Sequence, residues 1–553
     1  MNKKLIYYFT LIAVVLFSSC NDEFLDRYDH TAINEDSYWN SASDLELYNN
    51  NLYASYFTSA KGFGGGASWG ILMEDNYSDN SMVRSPNTLR LGTHTYTDPV
   101  KSNWNWTLIR NVNIFLENYQ KANEDEETLN HYAAEARLLR ALDYYDKVKL
   151  YGDLPLVDRV FSETDEAIYE AQSPRDEIVD FIMADLDYAV QWMNESSVRN
   201  RFNKTIAQSY KARICLHEGT FRKYHGLGGE SSFLQAAAEA AEAVINSGNY
   251  IIDATTSYGS LFQNLDLAGN KEVIMYKDYD VDLGIKNNIR MNALNSDNVN
   301  GASASGTKSL IEDYLCNDGL PITESPLYQG DGSMADVFAN RDERLKGTFG
   351  KQNDLFLDSI LYLSAHEDAS NNSSSPSGYQ LVKFFNEEND YTPWGGGFID
   401  APIFRYAEVL LIYAEAKVET GGITQPELDK SINLLRAKAK VAPMTAAKAN
   451  IDEIRRERRV ELAFEGFRYD DLMRWKQGSK LAEPVLGAKF NSSDFPGTYT
   501  EGVNNFHLNT DGYIMSNEIY VFDESKHYYF PVPFNELSLN PNLKQTLGWP
   551  RGE

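Results

Sequence analysis

Residues 457–475 read ERRVELAFEGFRYDDLMRW, a stretch of four arginines, three glutamates and two aspartates interleaved with aromatic residues. Glu457, Glu461 and Glu465 lie four positions apart, so on a continuous helix they share one face. Arginines stand three or four positions from the acidic residues, a spacing that neutralises charge within a helix. Because buried charges are tolerated only when they are paired, the stretch predicts a structural ion-pair network rather than a catalytic carboxylate cluster.

Helical periodicity dominates the chain on either side of this stretch. Residues 131–150, HYAAEARLLRALDYYDKVKL, carry apolar side chains at three-and-four spacing without glycine or proline. Ser173 and Pro174 supply the N-cap and first position of a helix that runs to about Met193. The same pattern predicts further helices at residues 204–219, 233–247, 401–419, 427–440 and 449–476.

These helices come in pairs with short breaks, a rhythm typical of tetratricopeptide-type stacking, which predicts one contiguous superhelical array. Between them, residues 58–105 and 250–400 are rich in Gly, Asn, Ser and Asp with scattered aromatic residues. EVIMY, at residues 272–276, has the composition of a short strand. We therefore predict a mostly α fold: a tetratricopeptide-like superhelix of helix pairs, with a large irregular loop-rich part and a few short strands.

The first residues have the pattern of an export signal. Two lysines precede an apolar run at residues 5–17, which is too short for a membrane span and typical of a signal peptide. Small residues then stand directly before Cys20, as in the lipobox of bacterial lipoproteins. We predict a lipoprotein signal peptide at residues 1–19, lipid attachment at Cys20 and a lipidated tether at residues 20–40. The alternative is an ordinary cleaved signal with an incidental cysteine.

Charge and cysteine content exclude several classes of protein. The net charge of -29 argues against a nucleic-acid partner and against adsorption to an anionic membrane through a basic patch. Beside Cys20 only Cys215 and Cys316 remain, which leaves a single disulfide open but rules out a disulfide framework. Cys215 lies on an apolar helical face, which favours a buried thiol. Since there is no CxxC motif, we predict no zinc ribbon.

Three motif matches fail on their context. GASWG at residues 66–70 fits a nucleophile elbow but has no strand before it, and GASASGTKS at residues 301–309 has its lysine one place too late for a P-loop. DYDVDLG, from residue 278, resembles a calcium loop, but Ile289 stands where the bidentate glutamate belongs. An irregular calcium site stays open as an alternative. We predict no cofactor, no metal and no catalytic residue.

The stretch at residues 457–475 resembles the C-terminal helix motif of the SusD/RagB family of outer-membrane nutrient-binding lipoproteins. The resemblance covers nearly the whole chain, because FLDRYDHTAINEDSYWNSASDLELYNNNLY, AEARLLRALDYYDKVKLYGDLPLV, RYAEVLLIYAEAK and YYFPVPFNELSLNPNLKQTLGW follow in the family's order. It implies four tetratricopeptide-like helix pairs. The corresponding domains are an N-terminal SusD-like helical region at residues 41–260 and a C-terminal SusD/RagB region at residues 261–553, packed as one body.

The resemblance also implies a function. Such proteins are anchored by lipid on the outer face of the outer membrane. They act as the lid of a SusC-like TonB-dependent transporter and capture glycans for it. They are not enzymes, so the stretch at residues 457–475 would be scaffold. The alternatives are capture of peptides or other non-glycan nutrients, a protein–protein adaptor, and, less favoured, a glycosidase.

Carbohydrate binding needs an aromatic platform for the sugar ring and a few polar groups for its hydroxyls. Long aromatic loops on a rigid scaffold are where such sites usually form. Composition and position in the loops therefore suggest eight ligand-binding residues: Trp69, Asp75, Asp79, Arg84, Trp104, Tyr279, Tyr391 and Trp394. Trp69 and Trp394, which are flanked by glycines, are the better candidates, whereas Trp106 is expected to pack in the core.

Overall fold

The structure, a computed structural model, describes most of the chain from Tyr38 onward. The described ranges are 38–64, 70–83, 86–97, 100–195, 200–289, 305–350, 355–356, 359–360, 375–384, 386, 396–491, 494 and 506–551. The longer α-helices are α1 Ala42–Tyr56, α2 Thr107–Asn118, α3 Glu126–Tyr151, α4 Arg175–Trp192, α5 Lys204–His225 and α6 Glu230–Asn246. They are followed by α7 Tyr258–Leu261, α8 Lys308–Asp313, α9 Met334–Phe338, α10 Glu343–Thr348, α11 Tyr406–Glu419, α12 Gln425–Asp429, α13 Ile432–Lys438, α14 Ile451–Glu461, α15 Arg468–Arg474 and α16 Phe534–Leu539.

The strands are short and pair in small antiparallel sheets. They are β1 Ser81–Met82, β2 Val273–Lys277, β3 Ser305–Gly306, β4 Phe349–Gly350, β5 Leu355–Phe356, β6 Ser359–Ile360, β7 Gln380–Leu381, β8 Ala401–Arg405, β9 Leu486–Lys489, β10 Phe506–Leu508 and β11 Tyr513–Ser516. The sheet orders are β1-β3-β7-β4, β10-β11-β9, β2-β8 and β5-β6. The predicted strand at residues 272–276 is confirmed as β2, one residue later in the chain.

The helices stack in sequence order. Helix α3 packs on α4 and α5 on α6, α4 contacts α5, and α6 then packs on α11, which in turn packs on α14. Side chains and a glycine define the helix ends: Asp125 accepts a hydrogen bond from the Thr128 amide at the start of α3, and Gly226 ends α5 in the left-handed conformation. The predicted mostly α, tetratricopeptide-like class is confirmed.

Two large apolar clusters lie under this architecture. The larger one runs through the helical array, from Trp39 to Leu543, and takes side chains from α1–α6 and from α11–α16. The smaller one lies beneath the loop-rich part and includes Phe63, Phe384 and Phe464. Burial of such aromatic rings is the main source of stabilisation for loops that have little regular hydrogen bonding.

Three predicted helices are wrong in part. The helix predicted at residues 427–440 is divided, since α12 ends at Asp429 and α13 begins at Ile432. Residues 401–405 are strand β8, because their backbone pairs with β2, and this tertiary pairing overrides the helical pattern. The helix predicted at residues 449–476 is divided: α14 ends at Glu461, Phe464 takes a φ of 62°, and α15 begins at Arg468. The turn is held by the Phe464 ring, which is fully buried in the smaller cluster, 5.8 Å from the ring of Phe349.

The carboxylates of the stretch at residues 457–475 form a buried ion-pair network. Glu457 pairs with Arg344 (2.6 Å) and Arg436 (2.8 Å), and Glu461 pairs with Arg344 (3.0 Å) and Arg405 (2.9 Å). The prediction of a paired network is thus confirmed. The partners of these two glutamates, however, come from α10, α13 and β8 rather than from the same helix. Asp471 is paired within the stretch, with Arg474 at 2.9 Å and with Arg458 at 2.8 Å.

Glu465 joins this network although it lies outside any helix. Its carboxylate binds Arg405 and Lys383, each at 2.7 Å. Burial alone would raise the pKa of Glu465, but the Arg405 guanidinium and the Lys383 ammonium bring it below the ordinary value. Conversely, burial lowers the pKa of Lys383 to about 8. Such mutual compensation is what keeps charges tolerable in an apolar interior.

Cys215 and Cys316 are both buried and both free, so the single disulfide left open by the sequence is absent between these two residues. Burial raises the pKa of the Cys215 thiol to about 12, which makes it an inert core side chain. Within the described ranges, no helix combines the length and the apolar character needed to cross a membrane.

The C-terminal segment is held by a buried pair of imidazoles. The rings of His94 and His527 are 4.9 Å apart, and the Trp549 ring lies 5.0 Å from the first and 5.7 Å from the second. Burial lowers the pKa of both histidines, that of His527 to about 4. Both imidazole rings are neutral unless they take up a proton, and a positive charge on one ring would oppose a positive charge on the other.

This pair predicts an acid-sensitive stability. In the unfolded chain a histidine takes a proton near pH 6.5, so between pH 6.5 and 4 the unfolded state binds more protons. We expect the contribution of His527 to be fully present above pH 6.5 and to be lost progressively as the pH drops to 4. Denaturant unfolding of the native chain and of His527→Phe across this range measures it. Parallel pH profiles of the two proteins would contradict the prediction.

Candidate functional site

An open pocket of about 330 Å³ lies where the end of α1 meets the edge of β2. It combines aromatic rings with amide, carboxylate and cationic side chains. Its lining consists of Glu46, Asn50, Tyr53, Ala54, Phe57, Asn200, Arg201, Met275, Tyr276, Lys277, Asp278 and Ile403. A few polar groups around an apolar surface are the usual composition of a small-molecule site.

The aromatic surface of the open pocket includes a ring pair at the C-terminal end of α1. The rings of Tyr53 and Phe57, one helical turn apart, are nearly parallel, with an interplanar angle of 20° and centroids 6.3 Å apart. The buried ring of Phe202 packs behind them, at 4.7 Å from Tyr53 and 5.9 Å from Phe57. Both pocket rings are partly exposed and are fixed from behind, so they offer a rigid platform.

Arg201 forms the polar wall next to this platform. Its Nε and one terminal nitrogen bind the two oxygens of the buried Glu135 carboxylate, each at 2.7 Å. Its other terminal nitrogen donates to Asn50 Oδ1 at 2.9 Å and lies 3.3 Å from Glu46. The guanidinium is therefore held in one position by three neighbours.

Lys277 forms the opposite wall, at the end of β2. Its Nζ donates to the backbone carbonyls of Phe57 (2.6 Å) and Thr58 (2.9 Å), where α1 ends. A cation at the C-terminal end of a helix is stabilised by the helix dipole and by the free carbonyls. Burial lowers the pKa of Lys277 below its ordinary value.

The open pocket adjoins a junction of loops built around Phe63. The Phe63 amide donates to the Tyr279 hydroxyl (3.0 Å), and the Phe63 carbonyl accepts from the Asn288 amide (3.3 Å). Asn287 and Gly397 exchange two backbone hydrogen bonds of 2.7 and 3.0 Å. Phe63, Tyr279, Asn287, Asn288 and Gly397 therefore meet at one place beside the pocket.

A second cavity, of about 360 Å³, lies deeper, between α3, α5 and α15. Its charged groups pair with each other: Lys61 with Asp146, Lys101 with Glu74, and Lys149 with both Asp146 and Asp470. Because each of these charges is compensated by a neighbour across the cavity, we assign them to the packing of the C-terminal segment on the helical array.

Five residues predicted to bind ligand or lipid lie outside the described residues. These are Cys20, Trp69, Arg84, Tyr391 and Trp394. Their roles stay predictions. Among the described residues, the loop junction brings Phe63 and Gly397, more than 300 positions apart in the sequence, together through Asn287 and Asn288.

Asp75 and Tyr279 are buried, Asp79 is partly exposed, and all three have their polar atoms engaged within the protein. Asp75 accepts from Asn80 Nδ2 at 2.8 Å, and burial raises the pKa of its carboxyl to about 6. Asp79 pairs with Arg468 at 2.7 Å and with Arg459 at 3.1 Å, and these arginines lower the pKa of its carboxyl although burial opposes them. The structure places all three residues in the internal support of the loops rather than on an open ligand surface.

Trp104 packs edge-on against two rings, at 5.7 Å from Trp106 and 4.9 Å from Tyr151. Both tryptophans are partly buried against the larger apolar cluster, which fits the packing role expected for Trp106. Trp104 keeps part of its surface exposed but does not line the open pocket. Its role in binding stays a prediction.

Tyr53, Phe57, Arg201 and Lys277 are absent from the residues that the loop composition suggests. A signal for the first two is present in the sequence, since YASYF at residues 53–57 puts two rings at helical spacing just before a glycine-rich loop. Arg201 and Lys277 carry no comparable signal. Their approach to α1 depends on contacts across roughly 150 to 220 positions.

Comparison with known proteins agrees with this architecture. The family model described as "SusD family" matches residues 271–549, and one described as "Starch-binding associating with outer membrane" matches residues 23–216. A SusD-like protein P2 from Formosa agariphila is 26% identical over 97% of this chain and 98% of its own length. A SusD-like protein from Bacteroides ovatus is 22% identical over 99% of this chain and 98% of its own length.

Solved structures show the same fold. The crystal structure of a SusD-like carbohydrate-binding protein from Bacteroides fragilis has a TM-score of 0.78 and 26% identity, and the match covers 92% of this chain and all of that one. Together with the SusD family match, which spans just over half of the 553 residues, this likeness shows that the chain belongs to the SusD/RagB family.

Proposed function

We propose that this protein is a lipid-anchored, surface-exposed protein of the outer membrane. It binds a glycan nutrient and delivers it to a partner SusC-like TonB-dependent transporter, without catalysis. The observation that carries the glycan part is the open pocket, in which the Tyr53–Phe57 ring pair lies between hydrogen-bonding side chains beside the loop junction. The description of the Bacteroides fragilis relative as carbohydrate-binding supports it.

The chemistry of sugars fits the lining of this pocket. The faces of a pyranose ring present C–H groups, which pack on aromatic faces, while its hydroxyls need donors and acceptors around the edge. Tyr53 and Phe57 supply the faces, and Asn50 and Asn200 supply amides at the rim. A rigid aromatic pair loses little conformational entropy on binding, so a modest contact area can still give measurable affinity.

The anchoring part of the proposal rests on the sequence. The signal pattern at residues 1–19 and Cys20 predict a lipidated N-terminus, and the description of the family model that matches residues 23–216 includes association with the outer membrane. A predicted tether of residues 20–40 has ample length to hold a folded part above a membrane surface.

The proposal predicts that loss of the ring pair abolishes glycan retention. In a screen of neutral and acidic polysaccharides by affinity electrophoresis, we expect the lipid-free mature protein to be retained by one polysaccharide class. Tyr53→Ala and Phe57→Ala should each weaken that retention about tenfold, because each removes one stacking face. Trp69→Ala and Trp394→Ala test the aromatic residues of the adjoining loops in the same gels.

Tyr169→Ala is the matched control, because Tyr169 is exposed and lies away from the pocket, in a short helix at residues 166–169. Circular dichroism of each variant separates loss of binding from loss of folding. Retention that survives both ring substitutions would move the site away from the open pocket. Retention of a peptide panel instead of any polysaccharide would favour the peptide-capture alternative, and release of shortened sugars would favour a glycosidase.

A further inference from the structure

The open pocket contains two cations, and the arrangement of both decides what kind of glycan it accepts. A uronic-acid or sulfated glycan needs a cation with free donors, as in the recognition of other carboxylates and sulfates. Building on the proposed function, we infer that the glycan bound at this pocket is uncharged.

The guanidinium of Arg201 is not available to an anion. Its charge is balanced by the buried Glu135 carboxylate in a two-bond pairing, and Glu46 lies against its remaining side. An anionic ligand at one terminal nitrogen would have to displace Asn50 and Glu46. At the other two nitrogens it would have to displace Glu135, whose side chain is fully buried and would be left without its counter-charge. The Arg201 side chain therefore acts as a positioned wall, not as an anion site.

The ammonium of Lys277 is likewise engaged by hydrogen bonds within the protein. Two of its three donors are used by the carbonyls of Phe57 and Thr58 at the end of α1, and the negative end of the helix dipole balances its charge. The hydrogen bonds at the helix end therefore account for the position of the Lys277 ammonium. Moving the ammonium toward a ligand would leave those two carbonyls without their hydrogen-bond donor.

The other charged groups that line the pocket are the carboxylates of Asp278 and of Glu46, the latter 3.3 Å from Arg201. The chain as a whole carries a net charge of -29. Like charges within about 4–6 Å repel, so a carboxylate or sulfate in the pocket would be disfavoured. The pocket also offers a neutral amide for hydrogen bonding: the exposed Asn50 accepts through its Oδ1 from Arg201, while its Nδ2 has no partner among the described residues.

The test compares one neutral polysaccharide with its carboxymethylated form. The neutral polysaccharide is the one that retains the whole lipid-free protein. Its binding should change less than about twofold between 50 and 500 mM NaCl, because no charge is involved. The carboxymethylated form should bind at least about fivefold more weakly at low salt and recover in part at high salt, as repulsion is screened.

Glu46→Gln sharpens the test. We expect it to reduce the ratio of neutral to carboxymethylated binding, whereas Glu239→Gln, an exposed glutamate on α6, should leave the ratio unchanged. Tighter binding of the carboxymethylated or a sulfated polysaccharide, weakened by salt, would overturn the inference while the proposed glycan capture stands. Absence of binding to every polysaccharide, neutral or acidic, would overturn the proposed function itself and the inference with it.

Discussion

Substitution of Arg405 by methionine is expected to lower the free energy of unfolding by about 3–5 kcal/mol. Arg405 contributes three nitrogens to the buried network: it binds Glu465 through two bonds of 2.7 Å and Glu461 at 2.9 Å, and it also holds the Glu461 carbonyl. Methionine fills similar volume but leaves carboxylates that α10 and Lys383 compensate only in part. The cost is that of an uncompensated buried charge, rather than that of a lost surface contact.

Arg456→Met is the matched control for Arg405→Met. Arg456 lies on α14, pairs with Glu453 at 2.6 Å and is about a quarter exposed, so its loss should cost at most about 0.5 kcal/mol. Guanidinium chloride unfolding of both variants gives the comparison. Equal midpoints for Arg405→Met and Arg456→Met would contradict the structural assignment of the network.

The second large effect is expected for Gly70→Ala, at about 2–4 kcal/mol of unfolding free energy. Gly70 has φ 70° and ψ -171°, a backbone region that only glycine adopts readily. A Cβ at this position would also overlap the backbone carbonyl of Gly62 and the backbone nitrogen of Gly64. The substitution must therefore displace main-chain atoms next to Phe63, where the loops beside the open pocket meet.

Gly226→Ala separates these two causes. Gly226 is also left-handed, with φ 73°, but a Cβ added there would meet nothing within 4 Å, so we expect a cost of only about 1 kcal/mol. Gly70→Ala should in addition weaken glycan retention, and Gly226→Ala should not. If both variants unfold at the same denaturant concentration, the close approach of Gly70 to the loop around Gly62 is not a source of strain.

Much of the fold follows from local patterns. The helices that became α3 through α6 are readable because their periodicity is long, uninterrupted and ended by caps such as Asp125 and Gly226. The division of residues 449–476 into two helices could not be predicted from the sequence. The helical pattern continues on both sides of EGF at residues 465–467, and one glycine is a weak signal for a helix end. The helix is divided because the Phe464 ring is buried among side chains of loops that lie far from it in the sequence.

The candidate binding site could be predicted from the sequence less well than the fold. Aromatic residues in loops attract a binding prediction, yet Tyr279 supports the loop through its hydroxyl, and Asp79 pairs with two arginines of the stretch at residues 457–475. Composition identifies residue types that suit a sugar. Which of these residues face solvent depends on how the loops pack, and no short stretch of the sequence shows this packing.

By itself, the sequence determined the helical class, the pairing of helices, the export pattern and the requirement that the charges of residues 457–475 be compensated. Only the tertiary structure decided the partners: Glu461 meets Arg344 and Arg405, from α10 and β8, rather than arginines of its own helix. The physical reason is one of range. Periodicity and capping act over a few residues along the chain, whereas ion pairing and ring stacking act over a few ångströms in space, between segments that only folding brings together.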